Sequence, residues 1–155
     1  MKHTPKAIVR ESKFRQLLVE SRGAMDSYKD ISPLDAASGA AGEGIAASAT
    51  QVAYVTNMNE IQVIPIKNTK TAEGRAMLKG HANGAILDLN FSPLNYSLLA
   101  SGGSDSSAKI WNCVEDGKAE LKQTIEVGSV RAISQVRWHP TCSSLIGRLC
   151  VFVLF

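Results

Sequence analysis

His81, Asp105 and a serine at position 101 or 104 are the residue types that form the catalytic triad of a serine hydrolase. In such a triad the histidine takes the proton of the serine hydroxyl, and the carboxylate orients the imidazole. The nucleophile of one large hydrolase class lies in a Gly-x-Ser-x-Gly turn. The stretch Gly102-Gly103-Ser104-Asp105 lacks that spacing. The pattern therefore favours a structural role for these residues over a catalytic one.

The segments around these residues suggest what that structural role would be. Gly80-His81 precedes strand-like runs at 86–91, 98–102 and 108–111, and a fourth run follows at 120–126. The third run ends in a Trp, and an Asp lies in the turn before it. This order is typical of one blade of a WD40 β-propeller.

Such a blade has to bury the indole of Trp111 without leaving its N–H unpaired, which would cost about 1–3 kcal/mol. In WD40 blades the indole donates to a hydroxyl on the middle strand. That hydroxyl bonds the His of the Gly-His turn, and the His bonds the Asp. Here these positions correspond to Trp111, Ser101 (with Ser104 as the alternative), His81 and Asp105.

A second, partial copy of the pattern follows 47 residues later, so that Trp138 corresponds to Phe91. This offset is close to the WD40 period of roughly 40–45 residues. The copy has Val127-Gly128 where Gly-His would stand, and Arg148 falls opposite Ser101. We therefore expect a third blade that begins here, with a repeat that breaks off after Ile146.

The chain before the Gly-His turn predicts a degenerate first blade. Runs at 51–56 and 61–66 flank an Asn-rich turn and indicate a hairpin. Pro65 indicates a strand end or a sheet edge there. A weak strand near 45–48 and a short outer strand at 75–79 would complete this blade.

The sequence contains no recognisable motif for binding phosphate, calcium or zinc. Gly102-Gly103 has no following Gly-Lys-Ser/Thr and does not open a helix. Three aspartates lack the spacing of a calcium loop, and three cysteines lack any C-x-x-C pair. The aspartates are Asp26, Asp30 and Asp35, and the cysteines are Cys113, Cys142 and Cys150. We expect no metal, no cofactor and reduced thiols, as in a cytosolic protein.

The 155 residues carry a formal charge of +3, and much of the basic charge lies in residues 1–22. That segment lacks the interleaved aromatic residues of a single-strand nucleic-acid binder and the apolar run of a signal peptide. The apolar run 149–155 is too short to span a bilayer. We expect neither a nucleic-acid partner nor a membrane span.

Four stretches together make the chain resemble the coronin family. Residues 9–15, Val-Arg-Glu-Ser-Lys-Phe-Arg, are similar to the opening motif of coronin propellers. Residues 27–31 are similar to the segment that leads into the first blade, and residues 61–66 to that blade's third strand. Val136-Arg137-Trp138-His139-Pro140 is similar to the family's third blade. The resemblance covers about residues 7–146.

The resemblance implies a fold and a function. Coronins bind actin filaments and regulate filament turnover, partly through the actin-branching complex. Their seven-bladed propeller uses an N-terminal outer strand, here about Val9 to Val19, to close the ring. The propeller is normally followed by a coiled coil that oligomerises the protein, and the coiled coil is absent from this chain. Arg22 and Lys29 remain as the basic candidates for an actin contact.

The sequence therefore predicts an all-β, partial WD40 propeller of about two blades and the start of a third, truncated from a seven-bladed ring. Its parts are a basic segment at 1–22, a degenerate first blade at 23–79, a blade at 80–126, and an incomplete blade with an aberrant apolar end at 127–155. The predicted function is non-catalytic actin-filament binding in the cytoplasm. The alternatives are a WD40 scaffold in another complex, a serine hydrolase, or a truncated product without function.

Overall fold

The computed structural model describes residues 28, 31, 44–67, 74–81, 84–114, 117–126, 131–143 and 145–150. Within these residues the chain forms ten β-strands in three antiparallel sheets. No helix in this part of the chain is long and apolar enough to cross a membrane. The predicted outer strand from Val9 to Val19 and the actin-contact candidates Arg22 and Lys29 lie outside the described residues.

The first sheet has the strand order β1-β2-β3-β4. Its strands are β1 (Ile45–Ala47), β2 (Gln51–Asn57), β3 (Glu60–Pro65) and β4 (Ala76–Lys79). β2 and β3 form the hairpin that the sequence predicts, with its turn at Met58 and Asn59. β3 ends at Pro65. Proline has no backbone N–H to donate to the sheet, so it is tolerated best at the end of a strand or at a sheet edge. Tyr28 Oη donates to the Ile66 carbonyl oxygen (3.3 Å), just after this strand.

The second sheet has the order β5-β6-β7-β8. Its strands are β5 (Ile86–Phe91), β6 (Leu98–Gly103), β7 (Ser107–Cys113) and β8 (Ala119–Glu126). All four strands fall where the sequence predicts them, with β7 longer by one residue before and two after the predicted run. The β6–β7 turn places Ser106 at φ +62°, a backbone region that residues other than Gly rarely adopt.

The third sheet contains β9 (Ile133–Trp138) and β10 (Ile146–Cys150), which pair antiparallel. Residues 146–150, where the sequence departs from the repeat, continue as a strand along β9. Ladder hydrogen bonds join main-chain groups, so Arg148 pairs opposite Val136 although it replaces the serine of the preceding blade.

Apolar side chains fill the two interfaces between neighbouring sheets. One cluster joins the first sheet to the second through residues such as Val63, Leu89 and Trp111. The other joins the second sheet to the third through Ala100, Val136 and neighbours. Leu89 is fully buried, and burying a side chain of this size contributes about 1.5–3 kcal/mol. The sheets thus stack face to face as two four-stranded blades and two strands of a third, which makes the molecule a partial β-propeller.

Candidate functional site

The most concentrated set of polar side chains in the described residues surrounds His81. This residue lies in the turn between β4 and β5, and none of its surface is exposed. Gly80, directly before it, lies against the six-membered ring of Trp111, where an added Cβ would be 2.7 Å from Cζ2. A side chain at position 80 would therefore displace the indole. This explains why a Gly-His pair precedes the blade.

One continuous chain of hydrogen bonds connects the four residues that the sequence predicts to act together. Trp111 Nε1 donates to Ser101 Oγ at 2.9 Å. Ser101 Oγ lies 2.8 Å from His81 Nε2. His81 Nδ1 lies 3.0 Å and 3.1 Å from the two carboxylate oxygens of Asp105. The middle strand, the Gly-His turn, the β6–β7 turn and the third strand are thereby tied to one another.

The structure also decides between the two candidate serines. Ser101, on β6, is fully buried between the indole and the imidazole. Ser104 is exposed in the turn, and its Oγ accepts a hydrogen bond from the Ala85 N–H at 2.7 Å. Ser104 therefore holds the backbone just before β5, and the residue that bonds the indole is Ser101.

Sequence reasoning missed a fifth member of this network, Ser107. Its Oγ donates to Asp105 Oδ1 at 2.8 Å, its backbone N–H donates to the same oxygen at 3.1 Å, and its Oγ lies 3.4 Å from His81 Nδ1. The signal was present in part, because an Asp in a turn commonly accepts a hydrogen bond from the backbone N–H two residues later, which here belongs to Ser107.

The protonation states follow from burial and from these contacts. Burial lowers the pKa of His81 below its ordinary 6.5, although the hydrogen bond and charge of Asp105 oppose the shift. Burial raises the pKa of Asp105, but hydrogen bonds from Ser107 and His81 outweigh it and leave the pKa below 3.8. At neutral pH the imidazole is neutral and donates through Nδ1 to an ionised carboxylate. Its Nε2 then accepts from the Ser101 hydroxyl.

This arrangement does not present a nucleophile to a substrate. Ser101 and His81 are both fully buried, and the Ser101 hydroxyl already donates to the imidazole while accepting from Trp111. A reacting carbonyl would have to displace the indole to reach it. Within the described residues no three His, Cys, Asp or Glu side chains are grouped so as to hold a metal ion.

A second polar contact joins the second blade to the third. Asp88, fully buried on β5, accepts hydrogen bonds through Oδ2 from the Val136 N–H (2.9 Å) and from Arg137 Nη1 (2.6 Å). Asn90 Oδ1 accepts from the Trp138 N–H at 3.3 Å, and the Asn90 carbonyl accepts from Trp138 Nε1 at 3.0 Å. Asp88 and Asn90 lie two residues apart on β5 and so share one face of the strand, but this spacing does not reveal their partners in the next blade.

The cysteines show no paired chemistry in the described residues. Cys113 is buried, and desolvation raises the pKa of its thiol to about 12. Its carbonyl accepts from Gln51 Nε2 at 3.2 Å, which links the first two blades. Cys142 is exposed, and nothing is described for the Cys150 side chain.

Known proteins with similar sequences or folds complete these observations. The WD domain, G-beta repeat family matches residues 73–112. Over 98 residues the chain is 32% identical to the coronin-like protein crn1 of Schizosaccharomyces pombe, a match that covers 56% of this chain and 15% of that protein.

Two solved structures also resemble this chain. The WD40 domain of Toxoplasma gondii coronin superposes with a TM-score of 0.59 and 26% identity, covering 69% of this chain and 29% of that chain. A chain in the mitotic checkpoint complex superposes with a TM-score of 0.51 at 13% identity, covering 85% of this chain and 40% of that chain, which is a likeness of fold alone. The matched part of this chain thus covers less than half the length of each of these relatives.

Proposed function

We propose that this chain, a member of the coronin family of WD40-repeat proteins, binds filamentous actin and acts in actin cytoskeleton organisation without catalysing a reaction. The observation that carries the proposal is the 32% identity to a coronin-like protein. The coronin-like opening motif at residues 9–15 supports it independently of that number. Because the match spans only 15% of that relative, the activity of the whole relative is a proposal for this chain.

The geometry around His81 supports a binding role over an enzymatic one. The residues that resemble a hydrolase triad are buried and hydrogen-bonded to one another. WD40 propellers and the coronin family are in general non-enzymatic scaffolds. The surface of the blades, and not the polar network, is then the part that meets a partner.

The site of action that fits this proposal is the actin cytoskeleton of the cytoplasm. We also propose that the chain regulates filament turnover through the actin-branching complex. This proposal rests on the resemblance to the coronin family. Arg22 and Lys29 are the basic residues we propose for contact with the acidic surface of actin.

Co-sedimentation with filamentous actin tests the proposal directly. The purified chain is expected to pellet with filaments in a saturable way, and less of it at raised salt, since the contact is electrostatic. Arg22→Glu combined with Lys29→Glu is expected to reduce pelleting several-fold. Lys118→Glu is the matched control, because Lys118 is exposed in the turn before β8. Absence of pelleting by the folded chain would favour a WD40 scaffold for a different partner.

A further inference from the structure

A side-chain hydrogen bond joins the chain before the first blade to the end of β3. Tyr28 Oη donates to the Ile66 carbonyl oxygen at 3.3 Å, although 38 positions separate the two residues in the sequence. Tyr28 is half-buried, and the contact lies at the surface of the molecule. The hydrogen bond therefore ties residue 28 to a defined place on the first blade.

Each end of this hydrogen bond is followed directly by a lysine. Lys29 comes after Tyr28, and Lys67 comes after Ile66. Consecutive Cα atoms are about 3.8 Å apart across a trans peptide bond, so the backbone of each lysine begins one residue from a bonded group. The contact thus brings two cationic positions that are distant in sequence to the same end of the first blade.

The charge of Lys67 is available to a partner. Lys67 is exposed just after β3. The ion pairs among the described residues use other basic side chains, namely Lys79, His81 and Arg137. Ile66, directly before Lys67, is 38% exposed. This end of the blade therefore offers a positive charge beside exposed apolar area, a combination that suits a protein surface with acidic side chains.

We propose that the contact between Tyr28 and Ile66 assembles a basic surface from Lys29 and Lys67, and that Lys67 is a further contact for acidic side chains of filamentous actin. Tyr28 is the positioning residue, because its hydroxyl ties the chain next to Lys29 to the chain next to Lys67. Cations within a Debye length of about 8 Å act together on an acidic surface. The inference rests on the proposed function, to which it adds Tyr28 and Lys67.

Co-sedimentation of the full chain with increasing concentrations of filamentous actin tests the role of Lys67. Lys67→Glu is expected to raise the apparent Kd at least fivefold, because it reverses a charge that faces the acidic surface. Lys122→Glu is the matched control, since Lys122 is exposed on β8 of the second blade, and its Kd is expected to change less than twofold. Raised salt is expected to narrow the difference between the two variants.

Tyr28→Phe tests the positioning role, because it keeps the aromatic ring and removes the O–H that donates to Ile66. We expect a several-fold higher Kd for actin with an unchanged urea midpoint, whereas a purely structural role would lower the midpoint. Trypsin cleavage after Lys29, followed by mass spectrometry without actin, is expected to be faster in this variant. Tyr96→Phe, at an exposed tyrosine in the β5–β6 turn, is the control for all three measurements.

The outcomes separate this inference from the proposed function. If the chain pellets with actin and the combined Arg22→Glu and Lys29→Glu change reduces pelleting, but Lys67→Glu does not, then Lys67 is no part of the actin surface and the proposed function stands. If Tyr28→Phe changes neither pelleting nor cleavage after Lys29, the positioning role is wrong. If the folded chain does not pellet at all, the proposed function fails, and this inference fails with it.

Discussion

The indole nitrogen of Trp111 donates to the hydroxyl of Ser101 at 2.9 Å, across neighbouring strands of one sheet. The same hydroxyl lies 2.8 Å from His81, so one oxygen serves both an indole and an imidazole. The ladder places Ser101 two residues from Leu99, the residue directly opposite Trp111. Side chains two residues apart on a strand share a face, which brings the hydroxyl under the indole.

Trp111→Phe keeps most of the buried ring but removes the N–H that Ser101 accepts. We expect a loss of about 1–3 kcal/mol in the free energy of unfolding, as for an unpaired buried polar group. Urea unfolding followed by far-UV circular dichroism measures the change. Tyr96→Phe serves as a control, since Tyr96 is exposed in the β5–β6 turn. A loss no larger than that of the control would mean that the indole N–H contributes nothing.

Gly103→Ala is expected to disrupt the network from the backbone side. A Cβ at this position would lie 2.6 Å from Asp105 Oδ1 and would also overlap His81 Nδ1. Neither partner can move freely, because each is held by other hydrogen bonds. We expect the urea midpoint to fall clearly. Gly147→Ala is the matched control on β10, where the nearest atom is 3.7 Å away, and a similar fall in both variants would contradict this prediction.

Stability is expected to decrease as the pH falls from about 7 to 5. The pKa of His81 is lower in the folded chain than its ordinary 6.5, so the unfolded chain binds a proton that the folded chain does not. Protonation therefore favours unfolding once the pH drops below about 6.5. The lowered pKa of Asp105 acts in the same direction, but only near and below pH 3.8.

The urea midpoint at pH 7 and pH 5 measures this dependence. His81→Gln is expected to flatten it, whereas His139→Asn, at an exposed position, is expected to preserve it. If the His139 variant flattened the profile and the His81 variant did not, the assignment to the buried imidazole would be wrong.

Asp88→Ala is expected to loosen the third blade from the second. The change leaves the Val136 N–H and the Arg137 guanidinium without their shared acceptor, at a cost of about 1–3 kcal/mol for the buried N–H. Amide exchange at Val136 is expected to rise more than exchange at Leu89. Arg137→Ala removes only the partly exposed partner and is expected to have a smaller effect. Unchanged exchange at Val136 would contradict the inter-blade role.

Ser106→Gly is expected to stabilise the chain slightly, because relief of the left-handed conformation at φ +62°, about 1–2 kcal/mol for a non-glycine residue, exceeds the entropic cost of about 0.5–1 kcal/mol that glycine adds. Thermal unfolding of this variant is compared with that of Ser104→Gly. The second change removes the hydroxyl that holds Ala85 and is expected to destabilise. A lower melting temperature for Ser106→Gly would show that the turn stores no such strain.

The sequence predicts local features of this fold well and distant ones poorly. The strands from 86 to 126 follow from alternation and turn residues, which are local signals. The contacts of Asp88 with Val136 and Arg137 depend on how two blades stack, so no local pattern reveals them. Both Ser101 and Ser104 lie within a few residues of the turn, so the sequence alone does not show which of them bonds the Trp111 indole. The strand register shows that it is Ser101.

β10 shows that a strand can form where the repeat pattern is lost. The apolar composition after Ile146 departs from the repeat, so the sequence predicts a break there. The structure keeps the strand because main-chain pairing with β9 tolerates a change of side chains. The predicted ring-closing strand and the actin-contact residues lie outside the described part of the chain and remain predictions.

A double-mutant cycle between Ser101→Ala and Trp111→Phe tests most directly the claim that these buried polar groups hold the blade together. If the hydroxyl and the indole act as one unit, the double variant loses less free energy of unfolding than the sum of the single losses, by about 0.5–3 kcal/mol. Losses that add to within about 0.3 kcal/mol would mean that the two side chains act independently, and would contradict the account.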